Sequence, residues 1–357
     1  MSQGAIRTVV AVVAFFVAAG AGVVMFGTFG TPDPDSGVNL TGANSIAVIL
    51  AVALLIAFVV YALIEKLQTG SFDSISRQFD TRTVVLMPIA IALNIVLGQA
   101  VGAALKLPIY LDSIGTILVG ALAGPIPGAV TGLLANLLWT YVVPPPFHSD
   151  IAAPFAIVAA VIGLLAGVFG RVGWLRPRTN ASGTSLVVGG VVAVAIVLLL
   201  AGYAYTRFYG GDAVPIVNPE NTDTLFVVLG YAVLVLAALA IVGFFALLFV
   251  RRDLTVAYVV VGGVVTGVVA AIISAPISAN VFGGVTGAGT DFLVAAFRQG
   301  GSDIQTAAFQ QGLLSDPVDK VVTFFVVYLM LSAMAVRSKA RFPQGEQLVG
   351  RQEGAPA

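Results

Sequence analysis

The sequence predicts an all-α polytopic membrane bundle of about ten transmembrane helices, and three observations carry that prediction. The first is composition. Of 357 residues, 59% are hydrophobic and only 10% charged, with a mean hydropathy of +1.02, whereas soluble globular chains are roughly a quarter charged. The second is the recurrence of apolar runs near the length of about 20 residues that a bilayer-spanning helix needs. They lie at 8–30, 43–64, 83–105, 108–123, 128–143, 151–170, 184–203, 225–250, 255–275 and 317–336. The third is the placing of Lys and Arg in alternate connections between those runs.

The first run follows MSQGAIR, is too long for a signal-peptide core and has no clear cleavage site, so a retained first span is expected. The fourth and fifth runs are short and are joined by Gly124-Pro125-Ile126-Pro127. Short apolar segments interrupted by Gly and Pro point to binding sites in transporters, and the same residues would also make a tight helical hairpin. Small residues recur there at four-residue spacing, as Gly120/Gly124 and Gly128/Gly132, which lets helix backbones approach closely. Residues 276–316 are too polar to span and too apolar for a solvated loop. They predict a glycine-rich turn and two short amphipathic helices, 291–298 and 303–314, with Thr290 and Ser302 as N-caps. Asp316-Pro317-Val318-Asp319 then opens the last span, with Pro in its first turn. The whole segment is long enough to fold back as a lid, or to lie at the interface as a connector.

Basic residues sort the connections into two sets. Lys66, Arg77 and Arg82 fall at 65–82, then Arg171, Arg176 and Arg178, then Arg251-Arg252, then Arg337, Lys339 and Arg341. The opposite connections are acidic or neutral, with Asp33, Asp35, Asp212, Glu220 and Asp223. Both termini are therefore expected in the cytoplasm of a multi-pass cell-membrane protein, and 276–316 outside.

Several function classes are disfavoured. A formal net charge of +0 gives no basic excess to meet nucleic acid. Cysteine is absent and His148 is the single histidine, so thiolate sites and histidine clusters are excluded. The four lysines, Lys66, Lys106, Lys320 and Lys339, follow no glycine, so no phosphate loop for ATP hydrolysis exists. No metalloprotease or nucleophile-elbow motif is present, and neither enzymatic chemistry nor a cofactor is expected. Paired carboxylates within a span are not legible either, which weighs against ion-coupled transport.

The stretch Lys106–Pro146 holds Tyr110, Asp112, Ser113, Thr116, Asn136, Trp139 and Tyr141 among apolar residues. Such groups are costly to expose to lipid and more often face a protein interior or a cavity. The other roles open to them are capping, interhelical hydrogen bonding and interfacial anchoring.

Five phrases occur in order: LPIYLDSIGT, GPIPGAVTGLLAN, the APF-x-IV-x-A-x-IG segment at 153–163, ISAPISANVFGGVTGAGTD and LLSDPVDK. In that order they resemble the substrate-binding (S) component of energy-coupling factor (ECF) uptake transporters, over 83–174 and 255–337. The resemblance implies a six-helix core from those two parts, with a two-helix extension at 1–82, an inserted helix pair at 175–254 and a cytoplasmic tail at 338–357. It also implies outward-facing capture of a vitamin or similar micronutrient, a membrane coupling subunit and two cytoplasmic ATPases as partners, and a pocket beneath the outer loops. Carried onto this chain, the pocket would use Tyr110, Asp112, Asn136, Trp139, Tyr141, Asn280, Asp291 and Lys320. Trp139 and Tyr141 would stack on a ring, and Asn136 and Asn280 would bond heteroatoms. Lys320 would meet an anionic group or pair with Asp319 or Asp112. For the coupling surface, the nearest equivalent of the family's Ala-x-x-x-Ala pattern is Ala90 to Asn94. Two other functions stay open: a membrane sensor or scaffold that binds a ligand without transport, and a stand-alone secondary transporter.

Overall fold

The computed structural model describes residues 3–28, 40–104, 109–178 and 246–349, with single positions and short runs between 183 and 245. The described residues form helices and turns and no strands. In order they are α1 (Gln3–Phe26), α2 (Leu40–Thr69), a four-residue α3 (Asp73–Ser76), α4 (Thr81–Ala104), α5 (Ile114–Ala123), α6 (Pro125–Tyr141) and α7 (Ala156–Arg171, led in by a 3₁₀ turn). After a π-helical turn at Ala246–Val250 come α8 (Thr255–Phe282), α9 (Asp291–Gln299), α10 (Ile304–Ala333) and a short α11 (Val336–Lys339). Stretches within α1, α2, α4, α7 with its lead-in, and α8 are long and apolar enough to cross a membrane. The chain is thus a helical bundle of the multi-pass membrane kind. The expected spans at 184–203 and 225–250 fall largely outside the described residues.

Caps mark the helix starts. Asp80 accepts from the Thr83 backbone N–H at 2.8 Å and opens α4. Asp303, rather than the expected Ser302, caps α10 by accepting from the amides of Gln305 and Thr306. The end of α8 turns through Gly283 at φ +58°, where a side chain would be strained.

The centre of the bundle is α5. All ten of its residues are buried, as expected for a helix apolar on every side. It packs against α4, α6, α7 and α10. Glycines allow the approach. A Cβ on Gly128 would lie 2.5 Å from the Gly163 carbonyl oxygen, and one on Gly132 would lie 2.2 Å from that of Ala159. The four-residue spacing at Gly120, Gly128 and Gly132 therefore marks real backbone contacts between α5, α6 and α7. Gly124, at φ +131°, instead makes the turn from α5 into α6.

Several expected boundaries move. The fourth span, expected at 108–123, is helical only from Ile114, so α5 is about 15 Å long, half of the roughly 30 Å apolar core. The preceding residues leave the helix because Leu111 sits at φ +52° and the amides of Tyr110 and Leu111 bond a carboxylate instead. The separate helices expected at 303–314 and 317–336 are one helix, α10, which runs straight through Pro317. An internal proline removes one backbone hydrogen bond, a loss that neighbouring helices can absorb in a membrane bundle. Gly267 of α8 allows this, since a Cβ there would lie 2.3 Å from the Pro317 Cα. Likewise α8 continues through Pro276. The non-helical part of the expected lid at 276–316 shrinks to 283–290 and 300–303, with α9 between them. The tail also folds back, with the Gln344 amide bonding the Leu122 carbonyl at 2.9 Å and Leu348 almost fully buried.

Candidate functional site

Halfway along α10, Asp316, Asp319 and Lys320 occupy positions i, i+3 and i+4, so they share one helix face. That face turns inward: Asp319 is 0%, Lys320 4% and Asp316 6% exposed. One Asp319 carboxylate oxygen accepts from the backbone N–H groups of Tyr110 at 2.8 Å and Leu111 at 3.0 Å, and the other pairs with Lys320. The Lys320 ammonium donates to the Ser113 hydroxyl at 2.9 Å and stands 3.7 Å from Asp112 Oδ1. Asp112 keeps 29% of its side chain exposed, more than Lys320 or Asp319. Asp316 accepts from Ser274 and Ser315 hydroxyls at 3.3 and 3.2 Å. This α10 face and the irregular segment before α5 therefore hold one another in place. The left-handed turn at Leu111 is what aims both amides at Asp319.

Three carboxylates surround one ammonium here. Among the described residues no second cation pairs with Asp112, Asp316 or Asp319. Charge buried this way is expensive and is held by function more often than by stability. Lys320 donates to Ser113 and Asp319 and stands at ion-pair distance, 3.7 Å, from Asp112, so its charge is already met by carboxylates. The side open to a guest is the Asp112 carboxylate, an acceptor suited to a ligand N–H, O–H or ammonium.

Two flanking features belong to this region. Trp139 is buried, and its ring edge and Asp112 Cβ both close on Gly98, where an added Cβ would lie 2.4 Å from the ring and 3.0 Å from Asp112. The Trp139 indole N–H has no partner among the described residues. On the other flank the Tyr110 hydroxyl is 3.0 Å from Thr290 Oγ1, joining the segment to the start of α9. Thr290 thus bridges to Tyr110 and caps nothing.

The structure brings Tyr110, Asp112 and Lys320 together and sets Trp139 beside them. The remaining candidates stand elsewhere. Asn136 is buried and donates to the Ala152 carbonyl at 3.1 Å, fixing the turn before α7. Tyr141 is 52% exposed and donates to Asn44 of α2 at 2.8 Å. Asn280 accepts from Gln305 at 2.6 Å. Asp291 accepts from the Thr286 and Gly287 amides at 2.7 to 3.1 Å and from the Thr286 hydroxyl. Burial pushes the Asp291 carboxyl up from its usual range, and the Thr286 and Gly287 bonds oppose that shift without cancelling it. Asp291→Ala is expected to free the 286–291 turn, read as at least tenfold faster amide exchange at Thr286 and Gly287.

Sequence reasoning passed over Asp316 and Asp319 as site residues because Pro317 read as a helix start. The i, i+3, i+4 spacing is the signal that would have found them, had the helix been carried through the proline. Carried through the proline, α10 sets Asp316 and Asp319 on one face, although α10 is not among the stretches found long and apolar enough to cross a membrane. Asn94 was also missed as a structural tie. It accepts from the Gly115 amide at 2.7 Å and donates to Thr116 at 2.8 Å, holding α4 to α5.

Searches against protein-family models, curated proteins and solved structures found no match to this chain.

Proposed function

We propose that this chain is the substrate-capture membrane subunit of an ECF-type, ATP-driven uptake transporter for a vitamin or similar micronutrient. The observation that carries the proposal is the buried Asp112–Asp319–Lys320–Ser113 cluster, set in an apolar bundle next to a half-length helix and joined to α9 through Tyr110 and Thr290. An ionisable cluster at such a depth marks a substrate or ion pathway. Half-length and broken helices are where membrane transporters place their ligands. The order of the five sequence phrases supplies the family. The ligand enters from the side opposite the basic connections, its polar group bonds Asp112, and Trp139 walls the apolar side. Both termini then face the cytoplasm, where a coupling subunit and two ATPases complete the machine. Ala90 and Asn94 are buried, 2% and 1% exposed, so coupling contacts must use other surfaces.

A second function is favoured by one specific observation. Carboxylates buried midway along α10 are also the equipment of a stand-alone, proton-coupled transporter. Reconstitution separates the two. Proteoliposomes holding this chain alone, offered a panel of labelled vitamins, should accumulate none under an imposed pH gradient. Accumulation should begin only with the coupling subunit, both ATPases and ATP. Uptake by the chain alone, driven by the gradient, would replace the first function with the second.

A further inference from the structure

At the basic end of the molecule, away from the charged cluster, an apolar groove of about 770 Å³ runs between the described residues of the 183–195 stretch and the π-helical turn. Its described walls include Leu186, Val187, Val191, Leu248 and Phe249, and Arg252 is the one charged residue among the described residues that line it. Such a volume suits a sizeable apolar ligand. Val187 and Val191 are each 65% exposed and Phe249 is 60% exposed, so the groove opens to the outside of the bundle.

The mouth of this groove is strongly basic. Arg251 and Arg252 are both exposed, and neither has an acidic partner among the described residues. Arg252 adopts φ +52°, a left-handed conformation uncommon outside glycine. The 176–178 segment lies alongside: the Leu254 amide donates to the Arg178 carbonyl at 3.1 Å, and the Thr255 hydroxyl to that of Arg176 at 2.7 Å. Arg178 itself is engaged, with its guanidinium 4.0 Å over the Tyr258 ring and bonding the Gly173 carbonyl. The nearby acid, Asp253, is 2% exposed and faces inward to Tyr328 and the Arg178 amide. The outward field at the groove mouth is therefore that of Arg251 and Arg252.

We infer that this groove is a binding site for an anionic phospholipid of the leaflet at the basic end. An acyl chain lies along Leu186, Val187, Val191 and Phe249, and the phosphate meets Arg252 with Arg251 beside it. Apolar depth with unpaired cations at its rim is the pattern that selects anionic headgroups in membrane proteins. The chemistry at each end of the groove matches one molecule, a chain and a phosphate joined covalently.

Native mass spectrometry of the detergent-purified chain tests the site. Incubation with equal amounts of phosphatidylglycerol and phosphatidylcholine of the same acyl chains should give a predominant phosphatidylglycerol adduct. Arg252→Asn removes the charge while keeping a residue that tolerates the left-handed turn, and should weaken that adduct about fivefold. Gly190→Leu projects into open space, since a Cβ there meets nothing nearer than Phe249 at 4.0 Å; by filling the groove it should suppress both adducts. Arg171→Gln, a basic residue of the same end that does not line the groove, should change neither. Equal adducts of the two lipids on the unaltered chain would overturn the inference. So would a phosphatidylglycerol adduct that survives Arg252→Asn undiminished, and this arm holds even if Gly190→Leu impairs folding.

Discussion

Lys320→Ala is expected to destabilise the protein by about 3–5 kcal/mol, because it leaves buried carboxylates without their cation. Asp319 is fully buried and would retain only the Tyr110 and Leu111 amides. The double variant Asp319→Asn/Lys320→Met should recover part of that loss. Its asparagine carbonyl still accepts from the two amides, and the deepest carboxylate is gone, while Asp112 and Asp316 remain without a cation. Denaturation of the unaltered chain, Asp319→Asn, Lys320→Met and their double variant measures the coupling directly. If Lys320→Ala melts as the unaltered chain does, the cluster is not closed as described.

Gly163→Ala carries the second large effect. A Cβ there would lie 2.1 Å from the Gly128 carbonyl oxygen and 2.7 Å from the Ala129 amide nitrogen, both backbone atoms that cannot step aside. Helices α6 and α7 would have to separate, at a cost of about 3 kcal/mol, the upper end of typical overpacking penalties. Gly20→Ala serves as the control. It lies in the interior of α1 with nothing within 4 Å of an added Cβ, and alanine there should gain helix stability of about 0.5–1 kcal/mol. Comparable losses in the two variants would contradict the packing described for α6 and α7.

The membrane class and most helix positions were legible in the sequence because both depend on local quantities. Apolar run length pointed to α2, α4 and α7, and four-residue glycine spacing pointed to a close backbone approach, though not to α7 as the partner, and Gly124 makes a turn. What misled was proline. Pro125 and Pro127, expected in a join before a helix at 128, lie in the first turn of α6, and Pro276 and Pro317 lie inside helices. The difference is tertiary: Gly267 lets α8 close directly on Pro317, and the two residues are 50 positions apart in the chain. Of the candidate site, Asp112 and Lys320 were singled out, and their pairing was among the alternatives named. The part played by Asp319 needed the left-handed turn at Leu111, which presents two amides to it, and nothing in the local sequence announces that turn. Asn136, Tyr141 and Asn280 were chosen as polar residues in apolar surroundings. Each has a partner in a neighbouring element instead, at Ala152, Asn44 and Gln305.

The central claim is that a small ligand is held at the Asp112 side of the buried cluster. The most direct test compares melting temperatures of the unaltered chain, Asp112→Asn and Tyr141→Phe across a panel of vitamins and their precursors. One compound should stabilise the unaltered chain by about 2.7 kcal/mol at a hundredfold excess over its dissociation constant. Tyr141→Phe, altered only where α6 meets α2, should keep that shift, and Asp112→Asn should lose it. A stabilising compound whose shift survives Asp112→Asn would place the binding site elsewhere, and a well-folded chain that responds to no compound would contradict the capture function itself.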